Sequence, residues 1–237
     1  MGGSMRIAVF TSGYLRTFRY QFAHNFDIIR RDLGNCEIDL FYSFWSKNHR
    51  SDRINDDWHS KIPDTCFDNV DKKKIDEYLI DSSVTHFEGE IEDYNLSESI
   101  IRSSSFPEEK KRLASQYYKV NRVATQFFNP GYDLYVTLRP DVLLNKFIPK
   151  EEALNIGKSI IVNENYWHNA KFNGTECNEY IWISTEENFL ESNSQYSNLE
   201  KIKQQIPHIH GEAITGQHFK NIRKDIKTFN FDYRVFR

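Results

Sequence analysis

Cysteine is scarce here: Cys36, Cys66 and Cys177 stand far apart, odd in number and with no paired spacing. That excludes a disulfide framework and a thiolate zinc site, and it suits reduced thiols in a cytoplasm. Glycine (10) and proline (6) are sparse as well, and no repeat, low-complexity tract or linker divides the chain. Neither sign of charge dominates: 31 basic residues face 34 acidic ones, for a net charge of −3. Such balance argues against a broad nucleic-acid footprint. No stretch has the apolar length of a membrane span, and the first residues lack a signal peptide's apolar region. The sequence therefore points to a cytoplasmic protein, with peripheral membrane association through a partner left open and the oligomeric state unreadable.

Aromatics, by contrast, are plentiful, with 18 Phe, 13 Tyr and 4 Trp making 15% of the residues. Together with a hydrophobic content of 39% they supply a real core, which excludes wholesale disorder. The 237 residues suit one substantial α/β domain running from Met5 to the end, residues 1–4 reading as an expression scar.

The pattern begins with a buried-type strand, Arg6 to Thr11, a turn over Ser12–Thr17, and a helix from Phe18 to Leu33 stopped by Gly34. A second strand, Glu37 to Phe44, completes a βαβ unit, whose crossover implies parallel strands. Beyond an irregular stretch, Trp45 to Thr65, come a short helix at Asp71–Ile80 and a weak strand at Val84–Phe87. Asp93 to Ser105 reads as a loop, and the strongest helix opens at Pro107 and runs to Phe127. Further strands are expected at Asp133–Leu138, Ser159–Asn163, Tyr180–Ser184 and Phe229–Val235, with helices at Glu186–Gln205 and Glu212–Lys224. The expected architecture is an α/β fold with a mixed, mainly parallel sheet flanked by helices.

Chemistry concentrates where strands end. Leu134, Val136 and Leu138 alternate with Tyr135, Thr137 and Arg139 at a strand's two-residue period. Pro140 lacks an N–H and stops the ladder, which delivers Asp141 at the carboxyl end, the edge where open α/β sheets bind ligands. There a carboxylate beside Arg139 suits a divalent cation and the guanidinium suits phosphate; a strand end capped by a surface ion pair is the other reading. Ser12, Gly13, Arg16 and Thr17 form a turn into the first helix, where backbone and guanidinium donors can meet an anion. An ordinary turn capped at Thr17 is equally compatible, and the missing lysine and second glycine exclude a Walker loop. Lys119 and Arg122, three residues apart on one helix face, either approach a diphosphate or form a solvated stripe. His208, His210 and Glu212 alternate, so in extended backbone they share a side and suit a metal ion; a plain helix start fits as well.

Four segments occur in order: IAVFTSGYLRTF (7–18), IDLFYSFW (38–45), SQYYKV (115–120) and YDLYVTLRPDVL (132–143). Together they make the chain similar to a GT-A-type glycosyltransferase family found in bacterial surface-polysaccharide loci and in large algal viruses, closely over the first 145 or so residues and loosely beyond. The resemblance implies a hexosyltransferase that uses a nucleotide-sugar donor, such as a UDP-sugar, and a glycan acceptor. In that case Ser12, Gly13, Arg16 and Thr17 grip the donor nucleotide, with Arg139, Lys119 and Arg122 near the diphosphate. Asp141 becomes the surviving carboxylate of the family's metal motif, with Arg139 in place of the first aspartate and His210 (or His208) as a second ligand to Mn²⁺ or Mg²⁺. Glu212 is the first candidate for general base, followed by Glu179 and Glu164, and the loop Tyr166–Gly174 suits sugar stacking. Asn178 and Glu179 stand where relatives often carry an aspartate-glutamine pair. Two other readings remain: a non-catalytic nucleotide-sugar-binding module, and a metal-dependent nuclease that lacks its Glu-x-Lys and a basic groove.

Overall fold

A computed structural model describes residues 4–15, 18–47, 71–80, 82–163, 177, 179–222 and 224–235, the side chains of 18–20 and 109 excepted. Strand β1 (Met5–Gly13) and strand β2 (Cys36–Trp45) are buried along nearly their whole length, so both faces of each are covered. Helix α1 (Phe18–Leu33) joins them, and β1 pairs in parallel with both β2 and β4 (Leu134–Leu138). Helix α2 (Lys72–Ile80) leads into β3 (His86–Glu92), which lies parallel at the outer edge of β2. The remaining strands of the sheet are β6 (Ser159–Asn163), β7 (Ile181–Ser184) and β8 (Asp225–Phe229). Their order is β3-β2-β1-β4-β7-β6-β8, and only β7 runs against the others. The expected mixed, mainly parallel sheet is therefore present.

Alternation along the strands assigns the two faces. Ile7, Val9, Leu40 and Val136 point to α1, whose Phe22, Phe26, Ile29 and Leu33 recur at three- and four-residue steps. Ala8, Phe10 and Tyr135 point the other way, to Val123, Ala124 and Phe127 of α4 (Arg112–Phe127). Each fully buried aromatic or aliphatic side chain contributes about 1.5–3 kcal/mol. Phe26→Ala at the centre of the α1 interface would cost about 3–5 kcal/mol.

Three expectations need correction. Asp93–Ser105 holds a helix, α3 (Tyr94–Ser103), because the Asp93 carboxylate caps it by accepting from the Asn95 N–H at 2.9 Å, and Ser97 and Ile100 are buried. The helix expected at Glu186–Gln205 is broken into α6 (Glu186–Ser192), a 3₁₀ turn (Tyr196–Asn198) and α7 (Leu199–Lys203). The break falls where the Asn193 amide donates to the Phe189 carbonyl (2.8 Å) while its oxygen accepts from Thr137 (3.0 Å). The closing strand begins early, as β8, and after a turn gives β9 (Tyr233–Val235), which pairs with β5 (Val142–Leu144) in a separate ribbon. Helices α5 (Lys150–Leu154) and α8 (Gly211–Ile222) complete the fold.

From β1 the chain crosses through α1 to β2 on one side, while β4 lies on the other. The carboxyl ends of β1 and β4 thus flank a topological switch point, where α/β sheets leave a crevice.

Candidate active site

Phe10 pairs with Thr137, so Ser12 and Arg139, each two residues further on, reach that crevice side by side. Past β4 the chain turns at once, the Val142 N–H donating to the Arg139 carbonyl at 3.2 Å. Pro140 holds the second position of this turn, where its fixed φ fits. Asn25 of α1 locks the exit, donating to the Val142 carbonyl and accepting from the Leu144 N–H, both at 2.8 Å. Arg139 continues the face of β4 that looks toward α4, and Asp141 sits beside its guanidinium.

That pairing is closed. Arg139 donates Nε to Asp141 Oδ1 at 3.0 Å and an Nη to Oδ2 at 2.6 Å, and its other Nη to Glu179 Oε1 at 2.6 Å. The Gln116 amide of α4 reaches Glu179 Oε2 at 3.3 Å, and the guanidinium lies 4.5 Å from the centre of the Tyr180 ring. Asp141 is 1% exposed and the Arg139 side chain 11%. Burial works against the guanidinium's charge, but Asp141 and Glu179 outweigh it and hold it firmly protonated. Of the two readings left open by the sequence, the ion pair is present, but as a buried triad and not as a surface cap.

Glu212 lies on the same side. The N-terminus of α8 is pinned by Tyr117, whose hydroxyl donates to the Gly211 carbonyl at 2.7 Å and meets Thr215 at 2.9 Å. Gly211 is required there, since a Cβ at that position would overlap the Glu179 carboxylate. His210 Nδ1 and Glu212 Oε2 are 3.1 Å apart, and both side chains keep about a quarter of their surface open, 27% and 23%. Burial pushes the Glu212 carboxyl up, yet its bonds to His210 and to its own N–H, with the charges of His210 and Arg139, hold it below the usual carboxylate range. Glu212 is therefore an ionised, reachable carboxylate with its orientation fixed by an imidazole. His208, two residues earlier, is exposed, and the pairing seen is that of His210 with Glu212.

The turn after β1 is likewise built for close approach. Gly13 takes φ +113°, a conformation that side chains with a Cβ rarely adopt. The Tyr14 hydroxyl lies 3.1 Å from Ser97 Oγ, itself 2.7 Å from Ser115 Oγ, which ties the turn to α3 and α4. Arg16, Thr17, Glu164, Asn178 and the loop Tyr166–Gly174 lie outside the described residues.

Lys119 and Arg122 are not placed as expected. The Lys119 side chain is fully buried, neither a solvated stripe nor presented to a ligand, with Nζ donating at 2.7 Å to both Ser43 and Glu92. Arg122 donates to both oxygens of Glu90 at 3.1 and 3.3 Å. Desolvation demands partners for the Lys119 amine, which β2 and β3 supply, whereas Arg122 keeps 42% of its side chain exposed and lies on the solvated side of the same face.

Nor does Asp141 fit the role of cation ligand. Each of its oxygens is taken by Arg139, and Glu179 divides its own between Arg139 and Gln116. Among the described residues no group of three His, Cys, Asp or Glu is placed to hold a metal ion, and His210 pairs with Glu212. All three guanidinium nitrogens of Arg139 are already engaged by carboxylates, which directs it toward Asp141 and Glu179. Sequence reasoning overlooked Gln116, Tyr180 and Gly211; a glycine between His210 and Glu212 was the one signal available.

No protein-family model matches the chain, and no curated protein matches it in sequence. Solved structures do resemble it. An active-site mutant of LgtC aligns with a TM-score of 0.50 at 8% identity, over 94% of this chain and 72% of that one. Mouse xyloside xylosyltransferase 1 in its apo form gives 0.45 at 11% identity, over 95% and 84% of the two chains. The glycosyltransferase GlyE of Streptococcus pneumoniae TIGR4 gives 0.46 at 12% identity, and the chain spans only 45% of its length. At such identities the likeness concerns the fold alone, and that fold, a seven-stranded mixed sheet between helices, is of the GT-A glycosyltransferase type.

Proposed function

We propose that this chain transfers a sugar, of hexose type, from a nucleotide-diphosphate donor to a hydroxyl of a glycan acceptor, in the crevice between the ends of β1 and β4. One observation carries the reading. The left-handed Gly13 turn follows β1, and the helix start that carries the ionised, quarter-exposed Glu212 packs on Glu179 beside Arg139 at the end of the neighbouring β4, which supports reading a donor turn and an acceptor base at one sheet edge. Ser12, Gly13, Arg16 and Thr17 would hold the diphosphate, helped by the positive end of α1. The acceptor oxygen attacks the anomeric carbon, and its proton passes to Glu212, which His210 holds in place. As the bond from that carbon to the phosphate oxygen breaks, its electron pair leaves with the nucleoside diphosphate, whose charge the Arg16 side stabilises. Glu179, tied to Arg139, supports the edge and serves as the second candidate base.

A second reading, a binding module without turnover, draws on the sealing of Arg139 and Asp141. A thermal-shift panel of UDP-, GDP-, CMP- and dTDP-sugars tests both, because a ligand that binds the native state raises the melting point by mass action. Stabilisation by one class, with transfer that Glu212→Gln abolishes, supports the transferase. Stabilisation without any transfer supports the module, and no stabilisation at millimolar concentration sinks both.

A further inference from the structure

We propose that Arg139 is this protein's built-in cation: its guanidinium fills the place between Asp141 and Glu179, so this edge takes no divalent metal and the donor binds without one. The clause about the donor rests on the transferase reading, whereas the occupancy of the two carboxylates does not.

Geometry makes the case. Three charge-assisted bonds run from one guanidinium to two carboxylates, two of them at 2.6 Å. The paired fork onto Asp141 engages both its oxygens, and Gln116 reaches the second oxygen of Glu179. Each partner is held by its own backbone. Arg139 and Asp141 flank Pro140 within one turn, clamped downstream by Asn25, so their spacing is fixed. Glu179 precedes Tyr180, whose carbonyl accepts the Arg139 N–H at 2.9 Å and whose ring lies against the guanidinium. Gly211 leaves the room that the Glu179 carboxylate occupies.

Insertion of Mn²⁺ or Mg²⁺ at Asp141 requires expelling the guanidinium from this enclosure or leaving it buried beside a second positive charge. Stripping a buried charge of its partners lowers affinity by about a hundredfold or more. One permanent positive charge, delivered by the chain itself, thus replaces an ion drawn from solution.

The test is a titration of Mn²⁺ into the whole protein without nucleotide, followed by the electron paramagnetic resonance signal of the free ion. The expected result is no saturable binding below millimolar Mn²⁺. Binding that Asp141→Asn leaves unchanged lies elsewhere and keeps the assignment, whereas micromolar binding that Asp141→Asn removes overturns it. A second arm measures the thermal shift given by the stabilising donor in EDTA and in Mn²⁺. Equal shifts are expected, and a shift that EDTA abolishes refutes donor binding without metal. If no donor stabilises the protein, the Mn²⁺ titration alone still decides the occupancy, which separates this failure from that of the transferase reading.

Discussion

Lys119→Met turns a fully buried charge into a stability measurement. The amine lies 4.4 Å from the centre of the Trp45 ring system and donates at 2.7 Å to Ser43 and to Glu92. Burial lowers its pKa from 10.5 to about 8, although Glu92 and Glu90 pull it upward. A fall of that size corresponds to roughly 3 kcal/mol by which the folded state disfavours the proton. Between pH 8 and 10.5 the unfolded chain keeps a proton that the folded chain has released, so stability rises with pH across that window. Below pH 8 the cost is present in full. Buried phenols work in the opposite sense above their unfolded pKa, since Tyr42, Tyr117 and Tyr132 hold their protons more tightly when folded. Subtracting the variant from the wild type removes that contribution. The variant leaves Glu92 its contacts with Tyr118 at 3.4 Å and Arg122 at 3.7 Å, so it folds. Urea unfolding of both proteins from pH 7 to 10 should show the difference moving toward the wild type by roughly 2 kcal/mol. A difference that stays flat, or moves toward the variant, refutes the reasoning and returns Lys119 to the list of ligand contacts.

Three further outcomes follow from the site. Asp141→Asn breaks the fork from Arg139 and should cost about 3–5 kcal/mol, lowering Tm by roughly 6–20 °C in calorimetry; a change below about 1 °C would show the triad to be slack. Glu212→Gln should lower kcat by about 10²–10⁴ with donor binding intact. Because the Glu212 carboxyl sits below its ordinary 4.5, the wild-type rate should stay level as pH falls toward that value; a loss that begins well above it would name another group as the base. Gly211→Ala pushes a methyl group into Glu179 and should reduce transfer far more than it reduces stability, read as kcat beside Tm.

Signals that act within a few residues were readable in the sequence. The βαβ opening, the two-residue alternation of β4 and the stop at Pro140 each depend on neighbours in the chain, and each is present. Helix α3 was not readable, because its three serines make it resemble a loop and its anchors are tertiary: the bond from Ser97 to Ser115 and the burial of Ile100. Neither was the break at Asn193, which depends on Thr137 of a distant strand. Arg139 and Asp141 were legible as a pair because two residues of separation place them together. Their enclosure was not, since Gln116, Glu179 and Gly211 come from three separate segments. Burial of Lys119 left no mark either: its helical spacing with Arg122 is the same whether the face meets water or a strand carrying Glu90 and Glu92.

The one reversed strand explains why those segments meet. A parallel strand delivers to the carboxyl edge the residues that follow it, as β1 delivers Gly13 and β4 delivers Arg139. Strand β7 runs the other way, with Leu138 opposite Ile181, so it delivers the residues that precede it, Glu179 and Tyr180. The edge therefore receives a cation from the exit of one strand and a carboxylate from the entrance of its neighbour. A slip of one residue in this pairing would turn Glu179 to the opposite face of the sheet and leave Arg139 with Asp141 alone. Since a half-satisfied buried cluster costs more than an apolar one, the ion triad and the register of β7 enforce each other. The chemistry of the edge is thus set by strand direction, and the enclosed guanidinium is its consequence.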